Sequence, residues 1–318
     1  MTKNKYFRSL MNTKWVSIYR RRFLNFKGRI QAFLISDEEM NKRLYKKKKQ
    51  KNLNLASPKT FSEKVIFLKL YYRNPLVTLC SDKYYVNEYI KACGFEHIIK
   101  KTYGVYRNAN EIDFSALPDK FFLKCNHIQG SNKLINRNEV VDYDYLKKYY
   151  NVLLKRNHYY TMREWGYKNI KPLILCEECL EDKNGNLPTD YKFYCFSGEP
   201  KYFMVSYGEF EHNVRNHKFD MQMNSIDSYF KEDVAIAPES IKIPDNFEEM
   251  VEIVRELCKP FPHVRVDLYN VDGKIFFGEL TFYSAGGFIN VHSQEMDLLI
   301  GSWINLDNYQ IDLTKKVN

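Results

Sequence analysis

The chain has 318 residues, 44% hydrophobic and 28% charged, a globular composition that excludes an intrinsically disordered chain and suits one large domain or two to three lobes. No run approaches the ~18 uninterrupted apolar residues of a membrane span, and no apolar segment follows the polar, basic start Met1–Arg8, so no secretory signal is read. The net charge of +10 is uneven: residues 1–55 hold 16 Lys and Arg against 3 Asp and Glu, and the other 263 hold 33 against 36, so the body is near neutral and not a nucleic-acid clamp. Seven cysteines without an export signal imply a reducing, cytoplasmic setting with free thiols.

In chain order, Tyr6–Leu34 sets Trp15, Val16, Ile18, Tyr19, Phe23, Leu24, Phe26, Ile30, Phe33 and Leu34 at helical spacing against Arg20, Arg21, Arg22, Lys27 and Arg29. Lys46-Lys47-Lys48-Lys49-Gln50-Lys51 follows as a charged turn. Two readings of this basic arm stand side by side. One is a helix packed on the body. The other is peripheral attraction to the anionic inner face of a membrane, worth about 1 kcal/mol per cation.

After a break at Ser57-Pro58, Thr60-Phe61-Ser62-Glu63 reads as a capping box opening a helix. A second helix is expected over 81–93, and a strand with a turn over 97–108. Lys120–Cys125 reads as a buried strand, Gly130-Ser131-Asn132 as a loop, and 140–157 as a helix. Lys171–Leu180 is a strand closed by the hairpin-turn signal Asp182-Lys183-Asn184-Gly185-Asn186. Strands follow at 191–197 and 200–207, then irregular chain over 211–243, a helix over 247–258, and a hairpin of 263–270 with 274–282. No internal repeat is present. The pattern is α+β with antiparallel hairpins.

That last hairpin carries the sharpest chemistry. Strand alternation puts Arg265, Asp267 and Tyr269 on one face and Val264, Val266 and Leu268 on the other. A turn of three or five residues pairs 267 with 277 and 265 with 279. Asp267 is then a diagonal neighbour of Glu279, roughly 7 Å or less away. Two carboxylates that close repel unless a cation separates them. Mg²⁺ is the natural hard-cation occupant, and an Arg–carboxylate pair on a solvated hairpin is the alternative. Upstream, Lys124 ends an apolar strand beside the Gly130-Ser131 loop, where ammonium and loop amides would oppose phosphate charge. A snorkelling lysine is the alternative there. Glu177 and Glu178 end another buried strand, placed to meet an adenine edge and a ribose hydroxyl. Cys176 and Cys179 form a lone CxxC without the second pair zinc requires, and read as core thiols. Asp142-Tyr143-Asp144 fits a DxD metal motif of glycosyltransferases, but Asp at a helix start is ordinary capping.

Over roughly residues 55–305 the chain resembles the TupA-like branch of the ATP-grasp ligases. The resemblance rests on short motifs in a fixed order: Thr60-Phe61-Ser62-Glu63-Lys64, Tyr72-Arg73-Asn74-Pro75-Leu76, Ser81-Asp82-Lys83-Tyr84 and Leu123-Lys124-Cys125-Asn126-His127. Then come Arg163-Glu164-Trp165, Tyr167-Lys168-Asn169-Ile170-Lys171-Pro172, Asp190-Tyr191-Lys192-Phe193, Phe196-Ser197-Gly198, Val264-Arg265-Val266-Asp267 and Gly278-Glu279-Leu280-Thr281-Phe282. It implies an ATP-grasp fold, two α+β lobes clasping a nucleotide, preceded by a basic helical region over 1–75. The ATP-grasp domain is expected over 76–318, with a small lobe at about 81–178 and a catalytic lobe at about 179–318.

By the same resemblance, Lys124 binds phosphates, Gly130, Ser131 and Asn132 form a phosphate lid, and Glu177 and Glu178 border adenine and ribose. Lys83, Leu180 and Lys192 join the cofactor side. Arg265 acts with Lys124 on the transferring phosphoryl group, and Asp267, Glu279 and Thr281 hold Mg²⁺. Thr281 stands where many relatives have Asn, and the lid has one glycine where many have several. The implied reaction is ATP-dependent amide formation through an acyl phosphate. The carboxylate is expected to be a uronic acid or similar group in bacterial capsule or other surface-polysaccharide biosynthesis, and the second substrate an amine. His127, Arg163, Glu164, Trp165, Arg215 and His217 are candidates for the acceptor surface, His127 and His217 equally for structural roles. A glycosyltransferase, a scaffold of the polysaccharide-synthesis proteins and a kinase-like phosphotransferase are the rival readings.

Overall fold

The structure, a computed structural model, describes residues 14–207, 215–230, 241 and 243–311. In chain order the elements are α1 (Lys14–Leu34), α2 (Asp37–Lys49), α3 (Phe61–Tyr71), α4 (Pro75–Ser81), α5 (Val86–Ala92), β1 (Thr102–Tyr106), β2 (Lys120–Cys125), β3 (Lys133–Asn136), α6 (Tyr143–Leu153), α7 (Tyr159–Met162), β4 (Ile174–Glu178), β5 (Thr189–Phe196), β6 (Glu199–Tyr207), β7 (Arg215–Asp220), α8 (Phe247–Cys258), β8 (His263–Val271), β9 (Lys274–Thr281) and α9 (Gln294–Ser302). The α+β class expected from the sequence is what forms, with two antiparallel sheets. The chain divides into two compact units. The first takes residues up to Met40, Asp82–Tyr84 and Lys101–Cys179; the second takes Asn41–Ser81, Tyr85–Lys100 and the chain from Leu180 onward.

In the first unit the strand order is β1-β4-β2-β3. Alternation splits β2 and β4 between two faces. Phe121, Leu123, Cys125, Ile174 and Cys176 share a core with Tyr145, Leu146, Tyr149, Tyr150 and Leu153 of α6 and with Ile18 of α1. Lys124, Leu175 and Glu177 therefore fall on the opposite face. Asp142 caps α6, its side chain accepting a bond from the Tyr145 N–H at 2.9 Å.

In the second unit the order is β7-β6-β5-β8-β9, and α8 packs on β5, β6 and β8. Phe247 of α8 meets Phe193 and Phe203 with ring centroids 5.6 and 4.8 Å apart. The side chains of Lys192, Tyr194, Arg265 and Asp267 alternate onto the other face. The capping box at α3 is complete: Thr60 accepts from the Glu63 N–H, and Glu63 accepts from the Thr60 N–H.

Several expected boundaries move. The helix expected over 81–93 is α5, and Ser81 ends a separate short helix, α4. The helix expected over 140–157 is the shorter α6. Lys46–Lys49 are the last turn of α2 instead of a free turn, where four cations oppose the negative end of the helix dipole. Lys49 Nζ donates to the Ile289 carbonyl at 2.6 Å, and Lys48 lies over the Phe288 ring. The Asp182–Asn186 turn forms but closes no hairpin, because β4 and β5 belong to different sheets. The span read as irregular contains β7, an edge strand. Its sequence, Arg-Asn-His-Lys-Phe-Asp, has no apolar alternation to announce it. Residues 1–13, the start of the expected basic helix, lie outside the described residues.

Candidate active site

The β8–β9 hairpin turns on two residues, Asp272 and Gly273, both at positive φ (50° and 87°). That is the tight turn Asp-Gly favours, not the three- or five-residue turn expected. A plain two-residue hairpin would place Asp267 opposite Gly278 and turn Glu279 toward α8. A β-bulge between Asp267 and Leu268 shifts the register instead, so that Asp267 faces Glu279 and Arg265 faces Thr281 directly. Glycine is required at the bulge, because a Cβ on Gly278 would sit 2.8 Å from the Asp267 carbonyl oxygen.

Strand pairing extends the site into two rows. Lys192, Asp267 and Glu279 form one, and Tyr194, Arg265 and Thr281 the next. Arg265 donates from Nε to Asp267 Oδ1 and from Nη2 to Asp267 Oδ2, both at 2.6 Å, and from Nη2 to Glu279 Oε1 and Thr281 Oγ1, both at 3.1 Å. The Thr281 hydroxyl donates to Glu279 at 2.8 Å. Burial alone would lower the Arg265 pKa, but the Asp267 charge leads the terms that outweigh it, and the guanidinium is held well above its usual range. Burial raises the Asp267 carboxyl, against the pull of Arg265.

Asp190, one row along on β5, belongs to the Asp190-Tyr191-Lys192-Phe193 motif but is not among the site residues expected from the sequence. Its carboxylate pairs with the Lys192 ammonium, yet Oδ1 is buried without a hydrogen-bond partner. Burial, with the Asp267 charge adding, pushes it up to about 7. Its signal in the sequence is the period-2 spacing Asp190-x-Lys192 on a strand otherwise rich in aromatics. Three carboxylates thus face two cations. Asp267 and Glu279 are the hard oxygen donors that a divalent cation takes when phosphate and water supply its other ligands. Among the described residues no three His, Cys, Asp or Glu side chains converge into a complete metal cage.

In the first unit, Lys124 Nζ lies 2.6 Å from Glu177 Oε2, both nearly fully buried. Glu178 alternates away, and its Oε1 accepts the Lys101 N–H at 2.6 Å, which ties β4 to the start of β1. Gly130, Ser131 and Asn132, expected as a phosphate lid, lie in the 126–132 segment that links β2 to β3. Ser131 is buried and anchored within it. Its hydroxyl accepts the Cys125 N–H and its carbonyl accepts the Tyr150 hydroxyl. Gly130 is exposed with φ 65°, and Asn132 is exposed. Lys83 donates from Nζ to the Ile128 carbonyl at 3.2 Å. Asn126 carries more structure than its place in a motif suggested. Fully buried, it bonds Asp82, the Lys171 carbonyl and the Leu173 N–H. Leu180 follows β4 at the start of the second unit, partly buried.

The residues considered for an acceptor surface are mostly enclosed. His127 is buried, with Nε2 3.1 and 3.3 Å from the Arg156 and Leu153 carbonyls at the end of α6; burial pushes its pKa down to about 4. Arg163, 1% exposed, has φ 57° and lies 3.4 Å from Asp37, whose carboxylate also accepts the Tyr159 hydroxyl. Glu164 is buried 3.6 Å from His158 Nε2. His217 is buried on β7 against Asp227 at 2.9 Å. Trp165 is partly exposed. Arg215 opens β7 opposite Tyr207, and its side chain lies outside the described residues. Cys176 is a buried thiol pushed up to about 12 by burial.

A family model described as TupA-like ATPgrasp matches residues 63–305. The chain belongs to the TupA-like ATP-grasp family. It is thereby a member of the ATP-grasp ligase superfamily, and the resemblance read from residues 55–305 holds. Among solved structures, it is similar to D-alanine–D-alanine ligase from Bacillus anthracis complexed with ATP, at 13% identity and TM-score 0.38 over 70% of this chain and 63% of that one. It is similar to the same enzyme from Helicobacter pylori at 12% and 0.43, over 79% and 68%. N5-carboxyaminoimidazole synthetase from Staphylococcus aureus complexed with ADP gives 12% and 0.41, over 72% and 53%. The chain thus spans 63% of the first of these enzymes. Likenesses this weak add nothing to the TupA-like assignment, which rests on the family match. No curated protein matches.

Proposed function

We propose that this TupA-like protein is an ATP-dependent carboxylate–amine ligase acting through an acyl phosphate. What supports the reading, beyond family membership, is the acid-rich row of Asp267 and Glu279 brought face to face by the Gly278 bulge. Asp267 and Glu279, with the Thr281 hydroxyl, would hold Mg²⁺, which when bound offsets charge on the phosphates of ATP.

The substrate carboxylate attacks the γ-phosphorus, a P–O bond to ADP breaks, and an acyl phosphate forms. Arg265 and Lys124 offset charge on the transferring oxygens, the main need in phosphoryl transfer. Glu177 keeps the Lys124 ammonium in place, its Oε2 2.6 Å from Nζ. Gly130 and Asn132 supply exposed backbone for phosphate, and Glu178, Lys83, Leu180 and Lys192 complete the nucleotide's surroundings. The amine then attacks the acyl carbon, inorganic phosphate leaves, a proton is released and an amide remains. No side-chain nucleophile is needed. We assign the carboxylate to a uronic acid or similar group of a bacterial surface polysaccharide, as the TupA-like resemblance implies. A glycosyltransferase reading loses its motif, because Asp142 is occupied as a helix cap.

The test is ADP release by purified protein across panels of uronic acids and amines. Amine-dependent ADP release with an amide product is expected. A stable phosphorylated product without amine dependence would make the protein a kinase, and failure to bind Mg-ATP in equilibrium dialysis would refute the reading outright.

A further inference from the structure

The helix α1 lies outside the span matched to the family and carries two distinct faces. One packs within the first unit. Ile18 is buried in its core, Arg21 lies over the Tyr149 ring and Arg29 over the Tyr160 ring. Asn25 bonds the Lys155 carbonyl, and Gly28 is backed onto Tyr160 so closely that a Cβ would sit 3.0 Å from its carbonyl oxygen.

The other face is a stripe of Tyr19, Phe23, Phe26, Ile30 and Phe33, which are 66%, 65%, 63%, 44% and 90% exposed. The intervals of four, three, four and three residues keep all five side chains on one side of the helix over about 21 Å. Scattered exposed apolar residues are ordinary, but an aligned aromatic stripe marks an interaction surface.

Charge decides what covers it. Arg20 and Lys27 border one edge of the stripe and Arg22 the other, while Arg29 is turned onto Tyr160. In a coiled coil these are the flanking positions that face the partner helix. A second copy would set cation against cation whether the helices ran parallel or antiparallel. An anionic surface accepts both edges at once while the aromatic side chains enter its apolar layer. No described helix is long and apolar enough to cross a membrane, so the contact is an in-plane one. Of the α2 lysines, Lys48 and Lys49 are engaged within the second unit and take no part.

We propose that α1 docks the protein on an anionic lipid bilayer surface through the Tyr19–Phe33 stripe, with Arg20, Arg22 and Lys27 against the headgroups. The test is co-sedimentation of the full chain with vesicles of phosphatidylcholine alone or mixed with phosphatidylglycerol. It is run at about 0.1 M and about 1 M salt, between which the screening length falls from about 10 Å to about 3 Å.

The protein should sediment with the mixed vesicles, weakly with phosphatidylcholine alone, and less at high salt. Phe23→Ser/Phe26→Ser/Phe33→Ser, which leaves the charge unchanged, should weaken binding about tenfold or more. Arg20→Glu/Arg22→Glu/Lys27→Glu should abolish the preference for anionic lipid. All altered side chains are exposed, so both variants should melt with the wild type. No binding to mixed vesicles at low salt, or full binding by the triple serine variant, overturns the proposal. So does equal affinity for soluble polyglutamate, or Phe23- and Phe26-dependent self-association in sedimentation velocity in place of vesicle binding.

Discussion

The two sheets treat buried charge differently. On β2 and β4 a single ammonium meets a single carboxylate, Lys124 and Glu177, at 2.6 Å, and both are buried. On β5, β8 and β9, Lys192 and Arg265 meet Asp190, Asp267 and Glu279, and one Asp190 oxygen has no partner. The first arrangement is balanced and holds a cation in place. The second gathers three carboxylates around two cations.

Breaking the balanced pair should have the largest effect on the fold. Lys124→Met leaves the Glu177 carboxylate without its ammonium and should cost about 3–5 kcal/mol. Lys124→Met/Glu177→Leu should return close to wild-type stability in urea unfolding while remaining inactive. A double variant no more stable than the single one would contradict the balanced-pair account. In the acid-rich row the order reverses. Asp267→Asn should lower ATP turnover by about 10²–10³-fold and flatten its Mg²⁺ dependence, while shifting the unfolding midpoint less than Lys124→Met does.

Each unit also buries a neutral imidazole. His263 donates from Nδ1 to the Cys195 carbonyl at 2.8 Å, and burial pushes its pKa down to about 4, as it does for His127. The unfolded chain takes up a proton at each near pH 6.5, and the folded chain refuses it until about 4. Both therefore stabilise the fold at neutral pH, and that stability is lost as pH falls through this window, at most about 3 kcal/mol each. Imidazole nitrogen shifts in NMR should stay constant from pH 8 to about 5. Titration of either ring near 6.5 would place it in water.

Much of this was open to inspection in the sequence. Phe247–Cys258 has a strict helical period, Lys120–Cys125 a short apolar run, and Thr60–Glu63 a capping box, because each signal is local. The order of the family motifs was legible for the same reason. Relations between strands were not. The hairpin alternation placed Arg265 and Asp267 on one face, but Glu279 reaches that face only through a bulge, and an extra residue leaves no trace in the alternation except Gly278 itself. The polar strand β7 lacked any apolar signal. Asp190 and Asn126 became notable only once burial was known.

The bulge offers a narrower way to separate the two sheets. Gly278→Ala puts a methyl 2.8 Å from the Asp267 carbonyl oxygen. Relieving that contact should cost about 1–3 kcal/mol and turn Glu279 away from Asp267. Mg-ATP binding by calorimetry should weaken with it. An alanine variant with unchanged binding would show that the face-to-face placement of the two acids is dispensable.

The smallest effect belongs to an acid outside both clusters. Asp142 stands two residues from Asp144 in the pattern of a metal-binding motif, but its side chain accepts the Tyr145 N–H at the start of α6. A cap is worth about 1 kcal/mol, and α6 supplies the aromatic core against β2 and β4. Asp142→Ala should therefore lower the unfolding free energy by that amount and leave ATP turnover as it was, and Asp142→Ser, which keeps a capping oxygen but no charge, should recover the stability. Charge as such should matter at 267 and not at 142. Loss of activity in Asp142→Ser at full stability would move the metal chemistry to the first unit and undo the contrast between the sheets.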